Sequence, residues 1–339
     1  MTVKRPAWRE ELAVVLVVVA GKLILLHAVG FRLEEFSLRW DGGHFVAIAE
    51  RGYFNVHELA FGPLFPLMIR GLSMLGLKTW LSAFLLANAL SFVPPLLVLR
   101  RYGLKAAVLL SLNPAYVLFT TAPYSEALAL SLALLAYELM EERPGAAGAL
   151  LGLAVVAKYS MVLLAPAFVL SGQRKRFLAP FITFCLLLAA FFYRLGGSPL
   201  VYLKIERAWD SSLGGPIEQA RWLLGSWFVR QGWHVGGFEL SGAHWLLHHW
   251  AFVVLYTVGL LLLARKKLWT DLAFSAPTVL LQYFVTGVPA VSAPRLLLPA
   301  VPAWCALAET EDYVFIALTL AMLVGIHYAG LWHMEAFFG

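Results

Sequence analysis

Leu12-Ala13-Val14-Val15-Leu16-Val17-Val18-Val19-Ala20-Gly21-Lys22-Leu23-Ile24-Leu25-Leu26-His27-Ala28-Val29 is a single apolar run, and how it is read decides the fold. As an α-helix rising 1.5 Å per residue it reaches roughly 27 Å, close to the ~30 Å hydrocarbon core of a bilayer. Similar runs recur to the end of the chain, and no polar block large enough for a separate soluble domain interrupts them. Of the 339 residues, 61% are hydrophobic and 14% charged, and the mean hydropathy is +0.77. A soluble domain of this length would need far more polar surface. Only helices and closed barrels satisfy every backbone N–H and C=O inside a bilayer, and these runs are too long for barrel strands. The chain therefore reads as an all-α polytopic membrane protein, one transmembrane domain over residues 1–339 with about eleven crossings.

The basic start and the following apolar run imitate a secretory signal, with Ala28-Val29-Gly30 as a small-x-small site. The run exceeds the usual signal core of roughly 7–15 residues, so it is read as a retained first helix. The formal net charge of +6 does not point to nucleic acid, because of where the charge sits. Lys4/Arg5/Arg9, Arg100/Arg101/Lys105, Arg174/Lys175/Arg176 and Arg265/Lys266/Lys267 cluster at the ends of apolar runs. That is the pattern of cytoplasmic loops. Cys185 and Cys305 lie inside apolar runs, which argues against a disulfide framework.

With the N-terminus inside, residues 30–60 fall outside. The stretch Phe61 to Gly76 holds Pro63, Pro66 and Arg70, and its sixteen residues reach only roughly 24 Å, so it reads as a juxtamembrane helix. The first outer segment thus covers 30–79. Residues 80–99 run inward, 106–121 outward, and 125–140 inward again. The stretch 145–171 must go out and return, as two half-length helices meeting near Lys158-Tyr159-Ser160. A single tilted helix there, with 61–76 crossing, is the competing picture, but it leaves Arg100/Arg101 outside and Glu126 inside. Residues 177–193 run outward to a second outer loop, 194–244, which carries Trp209, Asp210, Trp222, Trp227, Arg230 and Trp233. Helices at about 246–264, 271–288, 295–308 and 312–331 complete the bundle.

Two large outer loops against minimal inner ones place function outside. Asp41, in Trp40-Asp41-Gly42-Gly43-His44, reads either as the N-cap of a short helix with Trp40 as interface anchor, or as a general base. The glycines after it would let a substrate approach closely. Glu126, in Pro123-Tyr124-Ser125-Glu126, is either an ordinary first-turn carboxylate or a site residue that needs a partner. Lys158 lies in an apolar stretch where a cation costs about 2.5–3.5 kcal/mol, so it snorkels, pairs with a carboxylate or binds phosphate. Arg295, in Ser292-Ala293-Pro294-Arg295, is a second candidate for neutralising a leaving phosphate. His244, His248 and His249 have metal-ligand spacing, but no Cys or acid stands at matching spacing, and interfacial anchoring explains them as well.

Taken together, these segments resemble the GPI mannosyltransferase II family and its prokaryotic relatives. Trp40 through Tyr53 resembles its "WD…Y…IA…GY" signature, and Phe61-Gly62-Pro63-Leu64-Phe65-Pro66-Leu67 its "FFPLYPL" segment. Pro123 to Glu126 matches "PYSE/PYTE". Tyr193 to Pro199 with Glu206 and Trp209 looks like "Y…GDP…Q..W", and Ser292 to Pro299 like "S.pRYllp". The chain departs from the pattern at Ser198, Glu206 and Leu296, where the family has Asp, Gln and Tyr.

The resemblance implies a GT-C-type glycosyltransferase that takes a sugar, typically mannose, from a polyprenyl or dolichyl phosphate. Its partners would be that donor and a lipid or glycan acceptor at the outer face of the cell membrane. Asp41 would be the catalytic base, and the glycosidic bond would form with inversion. Lys158 and Arg295, with Arg194 as a further candidate, would hold the departing phosphate, while Glu126 and His44 orient hydroxyls. Tyr124, Tyr159 and Glu206 complete the implied substrate-binding set. No metal or other cofactor is expected, since two cations can serve a monophosphate donor. A transporter or flippase of a lipid-linked or anionic substrate is the alternative from a different class. Broken helices and a buried lysine suit it, whereas the lack of an internal repeat does not.

Overall fold

The computed structural model describes residues 6–170, 174–208, 211–215, 217–218, 221, 233–235, 238–240, 242–287 and 292–335. Helix α1 (Trp8–Ala28) is apolar all round, as a membrane-buried helix should be. Two short helices follow, α2 (Leu33–Leu38) and α3 (Asp41–Arg51), then a 3-10 turn (Val56–Ala60) and α4 (Leu64–Ser73). At ten residues α4 spans roughly 15 Å, too short to cross a bilayer. Helices α5 (Thr79–Leu90) and α6 (Val93–Tyr102) continue one another as an apolar stretch of 24 residues.

The expected single helix over 106–121 is instead two, α7 (Leu104–Ser111) and α8 (Pro114–Thr121), bent by 62° at Leu112-Asn113. The residue before a proline is pushed out of the α region. Asn113 then caps α8, its Oδ1 accepting from the N–H groups of Ala115 at 3.0 Å and Tyr116 at 3.2 Å. Helix α9 (Glu126–Leu139) and α10 (Pro144–Ala157) follow. The chain breaks at Lys158, whose backbone is extended (φ −152°, ψ 114°), and continues as a 3-10 helix (Tyr159–Leu164) and α11 (Ala165–Leu170). Lys158 lies beside the start of α9, and Phe168 packs on Tyr137 near the end of α9. The chain therefore runs along α10 toward the start of α9 and then turns back along it.

Helices α12 (Arg174–Gly196) and α13 (Val201–Ala208) precede α14 (Gly242–Arg265) and α15 (Trp269–Leu281). The chain was expected to be all-α, with 271–288 as one helix. In fact β1 (Ser211–Leu213) pairs antiparallel with β4 (Val285–Gly287), and β2 (Trp233–Val235) with β3 (Phe238–Leu240). Helix α15 stops at Leu281 because the β-branched Val285-Thr286 pair supplies a ladder for β1. The stretch expected as a helix over 295–308 consists of short pieces, α16 (Ala293–Leu296), α17 (Val301–Ala306) and a 3-10 turn at Leu307–Glu309. Helix α18 (Asp312–Glu335) ends the described chain.

Among the described residues, four segments are long and apolar enough to cross a membrane: Trp8–Ala28, Thr79–Tyr102, Arg174–Gly196 and Asp312–Met334. The bent pair α7–α8 makes a fifth when taken as one span. The protein is thus an integral membrane protein built mainly of helices. Two of its basic clusters meet at one end, where Lys105 pairs with Asp312 and Lys266 with Glu309. At that end Asp271, only 4% exposed, accepts from the hydroxyls of Tyr102 at 2.8 Å and Tyr137 at 2.5 Å, with Arg101 at 3.6 Å. This group ties α6, α9 and α15 together. Replacing Asp271 by Ala would strand both hydroxyls, at about 1–3 kcal/mol for each unsatisfied buried group. The Tm of the detergent-solubilised protein should fall in Asp271→Ala and fall less in Asp271→Asn, which keeps an acceptor oxygen. Equal losses in the two variants would show that the hydroxyls do not depend on it.

Candidate active site

Four charged side chains from four distant parts of the chain meet at the opposite end of α9, roughly 17 Å of helix from Tyr137. Arg295, in the one-turn helix α16, places Nη1 2.5 Å from Asp41 Oδ2 and pairs through Nε with Glu126 Oε1. Lys158 Nζ reaches the same Glu126 oxygen at 2.5 Å. The order is Asp41–Arg295–Glu126–Lys158, alternating in sign. Side-chain exposure is 16%, 14%, 1% and 11% respectively, so the chain of charges is nearly enclosed. Glu126 Oε2 is buried and has no hydrogen-bond partner.

Local sequence explains each position. Asp41 does not cap α3: Trp40 holds the cap position, and Asp41 begins the helix with its carboxylate turned to Arg295. The glycines after it were expected to admit a substrate. Instead, a Cβ at Gly42 would collide with the Ser37 carbonyl and sit 3.2 Å from Pro123 Cγ, and one at Gly43 would lie 2.5 Å from the Leu38 carbonyl. Their function is to let α3 fold back on α2. Glu126 opens α9 directly after the Pro123-Tyr124-Ser125 turn. Lys158 is presented by the break after α10, whose last carbonyls, Val156 and Ala157, press on Gly62 so closely that no side chain fits there. The segment ahead of α4 therefore buttresses the Lys158 break.

The guanidinium of Arg295 also lies over two aromatic faces, 4.7 Å from the Tyr124 centroid and 5.3 Å from Phe119. Such faces stabilise a cation without consuming its hydrogen bonds. Of the other expected residues, His44 is exposed one turn after Asp41, its ring stacked 4.8 Å from Phe61. Tyr124 is fully buried beneath Arg295. Tyr159 donates to the Leu59 carbonyl at 3.1 Å, tying the Lys158 break to the 3-10 turn before α4. Close by in the chain, the half-buried Tyr53 hydroxyl, pushed up by desolvation, donates to the Phe61 carbonyl at 2.8 Å. Arg194 is exposed at the end of α12 and takes no part in the ion-pair chain. The side chains of Glu206, Trp233, His244, His248 and His249 lie outside the described residues, as do Trp209, Asp210, Trp222, Trp227 and Arg230. Among the described residues, no three His, Cys, Asp or Glu side chains come together as a metal site would require.

Two supports were not anticipated. Lys22 in α1 donates to Asn88 Oδ1 at 2.8 Å, the Thr120 carbonyl at 3.0 Å and Thr121 Oγ1 at 3.2 Å. It therefore holds the end of α8 just ahead of the turn that presents Glu126, and its one signal in the sequence is a lone lysine inside an apolar run. The second support joins Trp40 to the last helix, through a hydrogen bond from its Nε1 to the His333 carbonyl at 3.0 Å.

Residues 20–182 match the family described as Mannosyltransferase (PIG-V). GPI alpha-1,6-mannosyltransferase 2 of Rattus norvegicus is 35% identical over 158 residues, a match covering 41% of this chain and 32% of the relative. The same-named protein of Mus musculus matches to the same extent. That of Cricetulus griseus is 35% identical over 164 residues, covering 42% of this chain and 33% of the relative. The chain thus spans about a third of the length of the curated relatives it matches. No solved structure matches. By the stretch that carries Asp41, Glu126 and Lys158, the chain is similar to the GPI mannosyltransferase II-like family.

Proposed function

We propose that the protein is a GT-C-type glycosyltransferase. It would move a sugar, mannose by the similarity to a mannosyltransferase family, from a polyprenyl or dolichyl phosphate to a hydroxyl of a lipid or glycan acceptor. The observation that carries this reading is the convergence of Asp41, Glu126, Lys158 and Arg295 in one nearly enclosed chain of charges. In it, Asp41 removes the acceptor proton as the hydroxyl attacks the anomeric carbon in line, with inversion. The bond from that carbon to the phosphate oxygen breaks, and its electron pair leaves with the phosphate. Lys158 and Arg295 take up that charge as fixed, preorganised cations. Arg295 must exchange a carboxylate for the incoming phosphate, so donor binding is also what frees Asp41 to act as base. His44, one turn along α3, is placed to orient a hydroxyl.

The same reading treats residues 1–339 as one GT-C-like domain of about eleven crossings. Its outer segments are 30–79 and 194–244. The basic clusters at Lys105 and Lys266 mark the inner end, so the charged cluster at the far end of α9 faces outside. No metal is needed when two cations flank a monophosphate. A transporter or flippase remains the rival, favoured by the breaks at Leu112-Asn113 and Lys158. It differs in one measurable way, since it would neither transfer nor hydrolyse the sugar.

Purified protein given tritiated polyprenyl-phosphate mannose and a total lipid extract should form a labelled product, and its absence would favour the transporter. Asp41→Asn should bind donor normally and lose about 10²–10⁴-fold in kcat, the usual worth of a general base. A near-normal rate would remove Asp41 from the mechanism. Lys158→Ala and Arg295→Ala should raise the donor KM about 10–100-fold, as expected for lost charge-assisted hydrogen bonds of ~1.5–3 kcal/mol. Arg295→Lys should fall between, keeping the charge without the planar fork. An unchanged donor KM in both alanine variants would place the phosphate elsewhere. A cysteine at position 44 should react with an impermeant thiol reagent added outside intact cells; protection from outside and labelling only after lysis would reverse the orientation.

A further inference from the structure

We propose that Trp40 is a positioning residue for Asp41, held in its working conformation by the last helix of the chain. The inference rests on the reading of Asp41 as the base and goes beyond it, because it assigns the aim of that base to a contact made by α18.

Trp40 has φ 53° and ψ −134°, a left-handed conformation that a bulky L-residue rarely adopts. Among the described residues, Phe31 and Lys267 are the other non-glycine positions with positive φ, and neither adjoins the charged cluster. Strained backbone persists only where its surroundings over-determine it. Burial does not supply that here, since Trp40 is 40% exposed. The indole hydrogen bond to the His333 carbonyl at 3.0 Å does. His333 is in turn packed in: it is 1% exposed, its ring lies 4.9 Å from Phe36, and its Nε2 faces the Phe36 carbonyl at 3.4 Å. Its ring also meets that of Tyr124 edge-on at 6.2 Å, and the face of Tyr124 carries Arg295. The clamp that bends the chain ahead of Asp41 and the residue beneath its ion-pair partner are therefore fixed to the same helix.

The bend has a geometric consequence. Gly42 is pressed against Ser37 and Pro123, so α3 cannot shift to compensate if Trp40 relaxes to an extended conformation. The rotation would pass to Asp41 and move its carboxylate off the place where donor binding would free it to act as base. A misplacement of about 1 Å at a reacting group can cost roughly 10²-fold in rate. An indole serving only as a membrane-interface anchor would have no such effect.

The test uses the full-length protein in detergent, with tritiated polyprenyl-phosphate mannose and a total lipid extract. Trp40→Phe keeps the ring and removes only the N–H donor. Its kcat should fall about 10–100-fold while the donor KM stays within about twofold of wild type. His333→Phe keeps the ring stack but loses the Nε2 contact, and should give the same split with a smaller loss. It also serves as the second measurement if Trp40→Phe does not fold. Asp41→Asn in the same assay separates the two levels of the argument. If Asp41→Asn is inactive but both aromatic variants retain wild-type kcat, the positioning role is overturned and the base assignment stands. A rise in donor KM without loss of kcat would likewise overturn it, making Trp40 part of the donor site. If wild-type protein transfers nothing, or Asp41→Asn transfers normally, the base assignment fails and the positioning role falls with it.

Discussion

A single carboxylate oxygen, Glu126 Oε1, receives both Lys158 and Arg295, and the architecture of this end of α9 depends on that sharing. A lone cation in the middle of an apolar helix costs about 2.5–3.5 kcal/mol on insertion scales. Two cations on one buried acid bring mutual repulsion as well, which Asp41 relieves by taking the far side of Arg295. For the four groups to meet, α10 must stop at Lys158, α9 must begin at Glu126, and α16 must fold as a single turn. None of these can shift without leaving a buried charge unpaired, a loss of roughly 3–5 kcal/mol when one partner of a buried pair is removed. The breaks in the helices follow from the charges that must meet.

The other buried charges behave differently, and the contrast marks out the site. The three hydrogen bonds of Lys22 go to an amide oxygen, a carbonyl and a hydroxyl, and nothing about them invites exchange. Asp271 takes two tyrosine hydroxyls and an arginine on Oδ1, and its other oxygen is not among the buried atoms left without a partner. In the cluster at Asp41, by contrast, one oxygen of Glu126 is crowded while the other has no partner. Buried polar groups that merely hold a fold are normally satisfied. One left unsatisfied beside two cations is the arrangement expected where a ligand completes the set.

Much of this was legible in the sequence, because charge inside an apolar run is conspicuous. Asp41, Glu126, Lys158 and Arg295 each stood out alone, and the break at Lys158 followed from the parity of the basic clusters. What could not be read was which of them touch, since their contacts join residues 32 to 254 positions apart. The bend at Leu112-Asn113 was missed although Asn-Pro announces it, because hydropathy is unchanged across the break. The strand at 285–287 was absorbed into a helix for the same reason: apolar residues of a short ladder and of a helix end look alike without their partner. The Gly42-Gly43 pair misled in another way. Glycine signals close approach, and the approaching group was the chain's own α2 backbone.

In the proposed reaction, the net charge of the site does not change during transfer; it moves. Before attack, the negative charge is on Asp41 and on the donor's phosphodiester. Afterwards Asp41 carries the acceptor proton, and the departing phosphate monoester has gained the charge that Asp41 lost. A cation that served only one of these positions would stabilise either the start or the end of the reaction, and so would do little for the barrier between them. Arg295 touches Asp41 directly and stands beside Lys158 across Glu126, so it borders both the place where charge disappears and the place where it appears. Its flat face rests on Tyr124 and Phe119, which restrain its plane while leaving its N–H groups to exchange one oxyanion for the other. A lysine at that position could supply the charge but not the fixed plane. The geometry thus accounts for an arginine between the two acids and a lysine on the far side of Glu126.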